Sequence, residues 1–484
     1  MMLRGGLIAV LAALALGALV VSCGGSGGGS GSGSIGGGSN PSSAVAACEA
    51  RLPQLNSRGL ASNAASIVVD NGPCAFDSTS GMAYVVGSAN IAFTSVTVCL
   101  PGTNTCQTID HIMVDTGSYG LRIMSSTLNS NMVLPAVTAA GAPLIECGQF
   151  ADGYTWGSVR SAIVSIGGPP NTSGFFTGET ANNVNVQVIG DSSAYATPSA
   201  CSGTGAGLND VASFHANGIL GVGLFVNDCA TGATCFENQL SSPLYYQCPS
   251  ASGCAPYDTP SNQQVDNPVA LFAADNTGVV MDLPLLTNAS GQENVYGTLV
   301  FLDASAGDAT LSTTTVYFAD AYGDFYSAIT NANQPYVATP TICSNSFIDS
   351  GSNGFFIPSS SLNIPADSNG WYIPTATVSV TGGIASQNSA SIPATFQSSP
   401  VFSIANADTV LFPANNGANT AYNDLGGPSG GPCDTSPSGN EGANSASGID
   451  WGLPFFYGRP IYTALETTQL TVSGTTYVGP FWAF

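Results

Sequence analysis

The sequence predicts an all-β chain built of two related lobes. Three observations carry that prediction. Apolar residues recur with period two in short runs: Val184 to Val188, Ala376 to Val380, Leu470 to Val472 and, less cleanly, Phe93 to Val98. Such alternation marks strands with one buried face. The 59 Gly and 29 Pro residues punctuate these runs, and few windows show helical periodicity. The third observation is a motif that occurs twice. Val114-Asp115-Thr116-Gly117-Ser118 and Ile348-Asp349-Ser350-Gly351-Ser352 each place a carboxylate after an apolar stretch, then a hydroxyl, a glycine and a second hydroxyl.

One Asp-Thr-Gly is weak evidence, because these are ordinary turn residues. The surroundings strengthen it. Asn217-Gly218-Ile219-Leu220-Gly221 follows the first copy and Asp450-Trp451-Gly452-Leu453-Pro454 follows the second. Gly221 lies 106 positions after Asp115, and Gly452 lies 103 after Asp349. Solenoids repeat at roughly 20–50 residues, so a longer period reads as a duplicated lobe. At 484 residues the chain also exceeds the usual single core.

In these islands the sequence resembles the pepsin-like aspartic peptidases. Trp451 to Phe456, Ile461 to Glu466 and Tyr477-Val478-Gly479 extend the likeness, which spans roughly residues 85 to 484. The chain is also similar to a bacterial lipoprotein branch related to pepsins. The resemblance implies a bilobal pepsin-like aspartic peptidase fold with the cleft between two related β lobes. It implies catalytic Asp115 and Asp349, with Gly117 and Gly351 letting backbone approach the carboxylates. Thr116 and Ser350 match hydroxyls that cross-brace the two loops, and Ser118 and Ser352 match hydroxyls that bond the carboxylates. Peptide hydrolysis then needs no metal or cofactor: one carboxylate takes a proton from water while its neutral partner donates one. The alternative is a catalytically inactive pepsin-fold envelope protein that binds peptides or a protein partner.

The resemblance further implies a flap hairpin over the cleft. Phe150 to Ser158 followed by strand-like Val159 to Ile166 fits, with Tyr154 the first flap candidate and Phe150 the second. The chain departs from the family in three places. Family members commonly carry an aromatic seven places after the first Asp, where this chain has Arg122, and Tyr119 and Gly120 are unusual after the motif. An Arg in the cleft would pair with a carboxylate and alter the dyad's titration.

Composition excludes other classes. Six Arg and no Lys face 29 acidic residues, for a formal charge of −23. Nucleic-acid binding needs basic surface, so no nucleic-acid partner is expected. A surface with so few cations reads either as one made soluble by Ser, Thr, Asn and Gly or as one suited to acid, where protonated carboxylates leave little charge to repel. Gly427-Pro428-Ser429-Gly430-Gly431 faintly echoes a serine-protease loop, but neither His111 nor His215 sits in a supporting motif.

Residues 1–22 read as a signal peptide: Arg4, an apolar run from Leu7 to Val21, then Ser22. The run ends at Cys23 in a pattern that resembles a bacterial lipoprotein cleavage site, making Cys23 the lipidation candidate. Residues 23–43 are a Gly/Ser-rich tether with a reach of roughly 25 Å. The expected location is the bacterial cell envelope, lipid-anchored, in the outer membrane of a Gram-negative cell, as a monomer acting on peptide or protein. A lead-in region at 44–84 precedes lobes at 85–265 and 266–484. Residues 263–275 cross between them and include a helical candidate, Pro268 to Ala274, with Asn267 as its cap.

Twelve cysteines follow Cys23, an even number that suggests disulfides in an exported chain. Spacing pairs Cys99 with Cys106, Cys229 with Cys235 and Cys248 with Cys254. Cys343–Cys433 share a lobe, and Cys48–Cys74 and Cys147–Cys201 remain by elimination. No Cys-x-x-Cys pair supports zinc.

Overall fold

The computed structural model describes residues 41–484 apart from 51, 53–59, 193, 230–242, 289–290, 304–313, 334, 337–340, 388–392, 394, 412–417, 434–447 and 473. The signal peptide, Cys23, residues 23–40 of the tether, Cys235 and residues 434–447 therefore lie outside the described residues. The chain is all-β, as its alternating runs predict. Val184 to Val188 falls within the strand Glu179–Ile189, and Phe93 to Val98 within Ala92–Cys99. Among the described residues, no helix is long and apolar enough to cross a membrane.

Two main sheets organise the chain. The larger holds the strands of the first lobe, and the seven-stranded one lies entirely in the second. The larger sheet also crosses the lobe boundary. Ala64–Val69, from the lead-in region, pairs antiparallel with Val295–Leu302, which in turn pairs with Gly278–Asp282. Gly278–Asp282 then pairs with Ile461–Ala464 near the end of the chain. These partners satisfy backbone groups that a lone lead-in strand would leave unpaired. The core is continuous as well: Val114 and Leu220 of the first lobe share one apolar cluster with Ile348 and Trp451 of the second.

The helical candidate after Asn267 shortens to a 3-10 turn, Pro268–Leu271, whose Val269 N–H donates to Asn267 Oδ1 at 3.2 Å. It stops because Phe272 turns extended, bridges to Ala181, and sets its ring edge-on to Phe301 at 5.0 Å. Five expected disulfides form: Cys48–Cys74, Cys99–Cys106, Cys147–Cys201, Cys248–Cys254 and Cys343–Cys433. Cys229 is disulfide-bonded too.

Candidate active site

Each Asp loop is built by three strands. In the first lobe, Cys106–Asp115 leads into the loop and Tyr119–Met124 leads out. Gly218–Val222 lies between them, parallel to the first with Gly221 against Asp115, and antiparallel to the second with Gly221 against Gly120. In the second lobe, Asp450–Trp451 lies between Cys343–Ile348 and Phe355–Pro358, parallel to one and antiparallel to the other. Trp451 stands against Ile348 as Leu220 stands against Val114. The spacing seen in sequence thus has a physical cause. A β-carbon on Gly221 would lie 2.5 Å from Tyr119 N, and one on Gly452 2.6 Å from Ser352 O. Only glycine lets the middle strand pass beneath the loop.

The two loops meet. Thr116 N–H donates to Ser350 Oγ at 3.0 Å, and Ser350 N–H donates to Thr116 Oγ1 at 3.0 Å. Thr116 Oγ1 donates to Ile348 O at 3.1 Å, and Ser350 Oγ donates to Val114 O at 2.7 Å. This buried, reciprocal brace faces the carboxylates toward each other. Gly117 N–H donates to Asp115 Oδ1 and Gly351 N–H to Asp349 Oδ1, each at 2.7 Å. Each glycine also packs on the opposite acid. A β-carbon on Gly117 would lie 2.6 Å from both Asp349 oxygens. One on Gly351 would lie 2.7 Å from Asp115 Oδ1 and 3.1 Å from Asp349 Oδ1, so a single point touches both carboxyl groups.

That proximity shapes titration. Burial, then the charge of Asp115, then that of Asp450 push the Asp349 carboxyl well above the usual carboxylate range, against a hydrogen bond from Gly351. Such a pair holds one proton across a wide pH span, and the proton belongs to the pair. Asp450, which in sequence stands only as part of the repeat, is a third acid. Its Oδ2 lies 2.6 Å from Ser352 Oγ, which in turn lies 3.1 Å from Asp349 Oδ2. Burial raises its carboxyl as well; Ser352 opposes the shift and the Asp115 charge adds to it.

The remaining expected residues fall in several places. Ser352 reaches its carboxylate, whereas the buried Ser118 Oγ makes no hydrogen bond to Asp115. Arg122 is buried and paired with acids, but not with the dyad. Its Nη2 lies 2.5 Å from Glu146 Oε1 and 3.2 Å from Asp228 Oδ2, and Tyr245 Oη donates to Asp228 Oδ1 at 2.6 Å. Tyr119 is buried edge-on to Phe225 at 5.1 Å, and Gly120 holds φ +98° against Val265.

A hairpin stands where the flap is expected, formed by Ala142–Gln149 and Gly153–Ile166. Tyr154 is half-buried and packs against an apolar cluster that includes Cys147, Trp156 and Cys201. Phe150 lies edge-on to Phe214 at 5.9 Å and under the Arg122 guanidinium at 5.8 Å. The serine-protease echo dissolves into structure: Gly426–Ser429 is a strand, and Ser429 Oγ donates to Gly448 O at 3.3 Å. His111 is held by Asp70 and Asp110, and His215 caps a helical turn at φ 58°.

The family model described as "Protein of unknown function (DUF3443)" matches residues 59–484. The chain belongs to the DUF3443 family. No curated protein matches it. This DUF3443 protein is similar to the solved structure of Basic 7S globulin from soybean, at 10% sequence identity and a TM-score of 0.38, over 83% of this chain and 92% of that one. The chain's own strands give a two-lobed, all-β fold, with one Asp loop from each lobe.

Proposed function

We propose that this DUF3443 protein is an exported, lipid-anchored aspartic endopeptidase. The observation that carries the reading is the reciprocal brace of Thr116 and Ser350, which sets the Asp115 and Asp349 carboxyls against each other's glycine. The neutral member is Asp349, whose raised titration favours the protonated form. Asp115 takes a proton from a water as that water adds to the scissile carbonyl carbon. Asp349 gives its proton to the carbonyl oxygen, leaving a neutral diol. The diol returns one proton to Asp349, and the amine leaves with the proton held on Asp115. Anchoring through Cys23 and placement in the outer membrane belong to the same proposal and rest on the leader sequence.

The test is digestion of a peptide library between pH 3 and 7, with and without a pepstatin-type inhibitor. Asp115→Asn or Asp349→Asn lowers turnover by at least about 10³-fold, while thermal unfolding stays near wild type. Undiminished cleavage in either variant rejects the mechanism. The second reading, a peptide binder that does not cut, draws on Tyr154, which packs against the apolar cluster that contains the Cys147–Cys201 disulfide. Peptide binding by wild type without any cleavage favours that reading.

A further inference from the structure

The two lobes place different residues at one structural position. Ile219 stands against Met113 two residues before Asp115, and Asp450 stands against Phe347 two residues before Asp349. The repeat therefore exchanges a buried aliphatic side chain for an acid directly below the second loop. Asp450 Oδ1 is sealed from solvent and has no hydrogen-bond partner. Its Oδ2 meets Ser352 Oγ at 2.6 Å, and that same hydroxyl lies 3.1 Å from Asp349 Oδ2.

Counting protons fixes the consequence. A serine hydroxyl donates once. Two ionised carboxylates cannot both be satisfied by it, so one of Asp349 and Asp450 carries a proton when both contacts are made. Two arrangements satisfy every contact. Protonated Asp450 donates to Ser352, which donates to Asp349. Alternatively, protonated Asp349 donates to Ser352, which donates to Asp450. The second follows from the first by moving one proton along each hydrogen bond, with no heavy atom displaced.

We propose that Asp450 is a positioning residue for the dyad: through the Ser352 hydroxyl it shares a proton with Asp349, so that the charge state of the site is set by three carboxyls rather than two. The inference rests on the peptidase reading. Among the described residues, Asp115 and Asp349 are the titratable groups that face Asp450. The flanking strands Cys343–Ile348 and Phe355–Pro358 contribute no ionisable side chain, because Cys343 is in a disulfide. As pH rises, a charge on Asp450 keeps the proton on Asp349, since a like charge disfavours ionisation.

The experiment is the pH profile of kcat/KM for wild type and Asp450→Asn. Asp450→Asn keeps a neutral group of the same shape. It leaves turnover at the acid optimum within about threefold and moves the alkaline limb down by about one pH unit. The same substitution in a Ser352→Ala background moves that limb less, because the shared hydroxyl is gone and only the direct charge effect remains. Superimposable limbs for wild type and Asp450→Asn overturn the proposal. A second readout needs no activity. Thermal unfolding of the full chain from pH 4 to 8 loses part of its slope in Asp450→Asn, and loses little more when Ser352→Ala is added. An unchanged slope overturns the shared proton even in a protein that cuts nothing, and absent cleavage with a changed slope counts against the peptidase reading alone.

Discussion

The two Asp loops share one backbone plan and differ in what lies beneath them. Both have a middle strand between two arms, a glycine under the turn, and a hydroxyl that braces the other loop. Below the first loop the chain is apolar, with Ile219 and Leu220 buried, and Ser118 Oγ makes no hydrogen bond. Below the second lie Trp451 and Asp450, and Ser352 Oγ joins two acids. Shared backbone brings the carboxylates together; unshared side chains make them unequal. A dyad needs both properties, because one member must hold the proton that the other has released.

The largest test of the shared plan removes the middle strand's anchor. Trp451 is fully buried, donates through Nε1 to Ser327 Oγ at 2.9 Å, and packs on Phe455 at 4.9 Å and Phe402 at 5.5 Å. Its counterpart Leu220 is equally buried. Trp451→Ala costs about 3–5 kcal/mol and Leu220→Ala about 2–5 kcal/mol, measured by denaturant unfolding. A Trp451→Ala cost below about 1 kcal/mol would show that the second middle strand does not hold its loop.

The brace gives a smaller and sharper comparison. Thr116→Val removes two hydrogen bonds, and so does Ser350→Ala; each leaves one N–H and one C=O without that partner. Each variant loses about 1–3 kcal/mol, and the two losses agree within about 1 kcal/mol. One variant unfolding like wild type while the other does not would end the claim of reciprocity.

Much of this was legible in sequence. The acids, their glycines and the downstream Gly221 and Gly452 are local patterns, and close cysteine spacings constrain pairing directly. What escaped depended on register. Asp450 was visible as a repeat member, yet its approach to Ser352 follows only once Trp451 is set against Ile348. The mismatch of Asp450 with Ile219 was the available signal. Arg122 was noticed as a departure, but its partners Glu146 and Asp228 lie 24 and 106 positions away on elements that periodicity cannot bring together. The lead-in strand Ala64–Val69 likewise takes its partner from Val295–Leu302.

The mildest effect concerns pH. Burial pushes Asp424 up to about 6, and Asp266, at the lobe boundary, to about 6 as well. Burial also drives Asp349 and Asp450 well above the ordinary range. Each of these acids binds its proton more tightly folded than unfolded, where the value is about 3.9. Their stabilisation is complete below about pH 4 and is lost as pH rises through the folded values. His111 adds the same sign later. Burial opposes its charge, but Asp110 and Asp70 prevail and raise it to about 10, so its contribution fades as pH climbs from about 6.5 toward that value. Asp110 runs the other way: burial would raise it, yet hydrogen bonding and charge from His111 leave it lowered, and its contribution is lost only as pH falls below about 4. Calorimetry should therefore find the highest unfolding temperature near pH 4–5, with a decline toward pH 8 worth roughly 3 kcal/mol for each carboxyl raised to about 6. Asp424→Asn should flatten that decline. A maximum at or above pH 7 would mean these acids are ionised without cost, and the contrast between the apolar floor of the first Asp loop and the acid beneath the second would lose its energetic meaning.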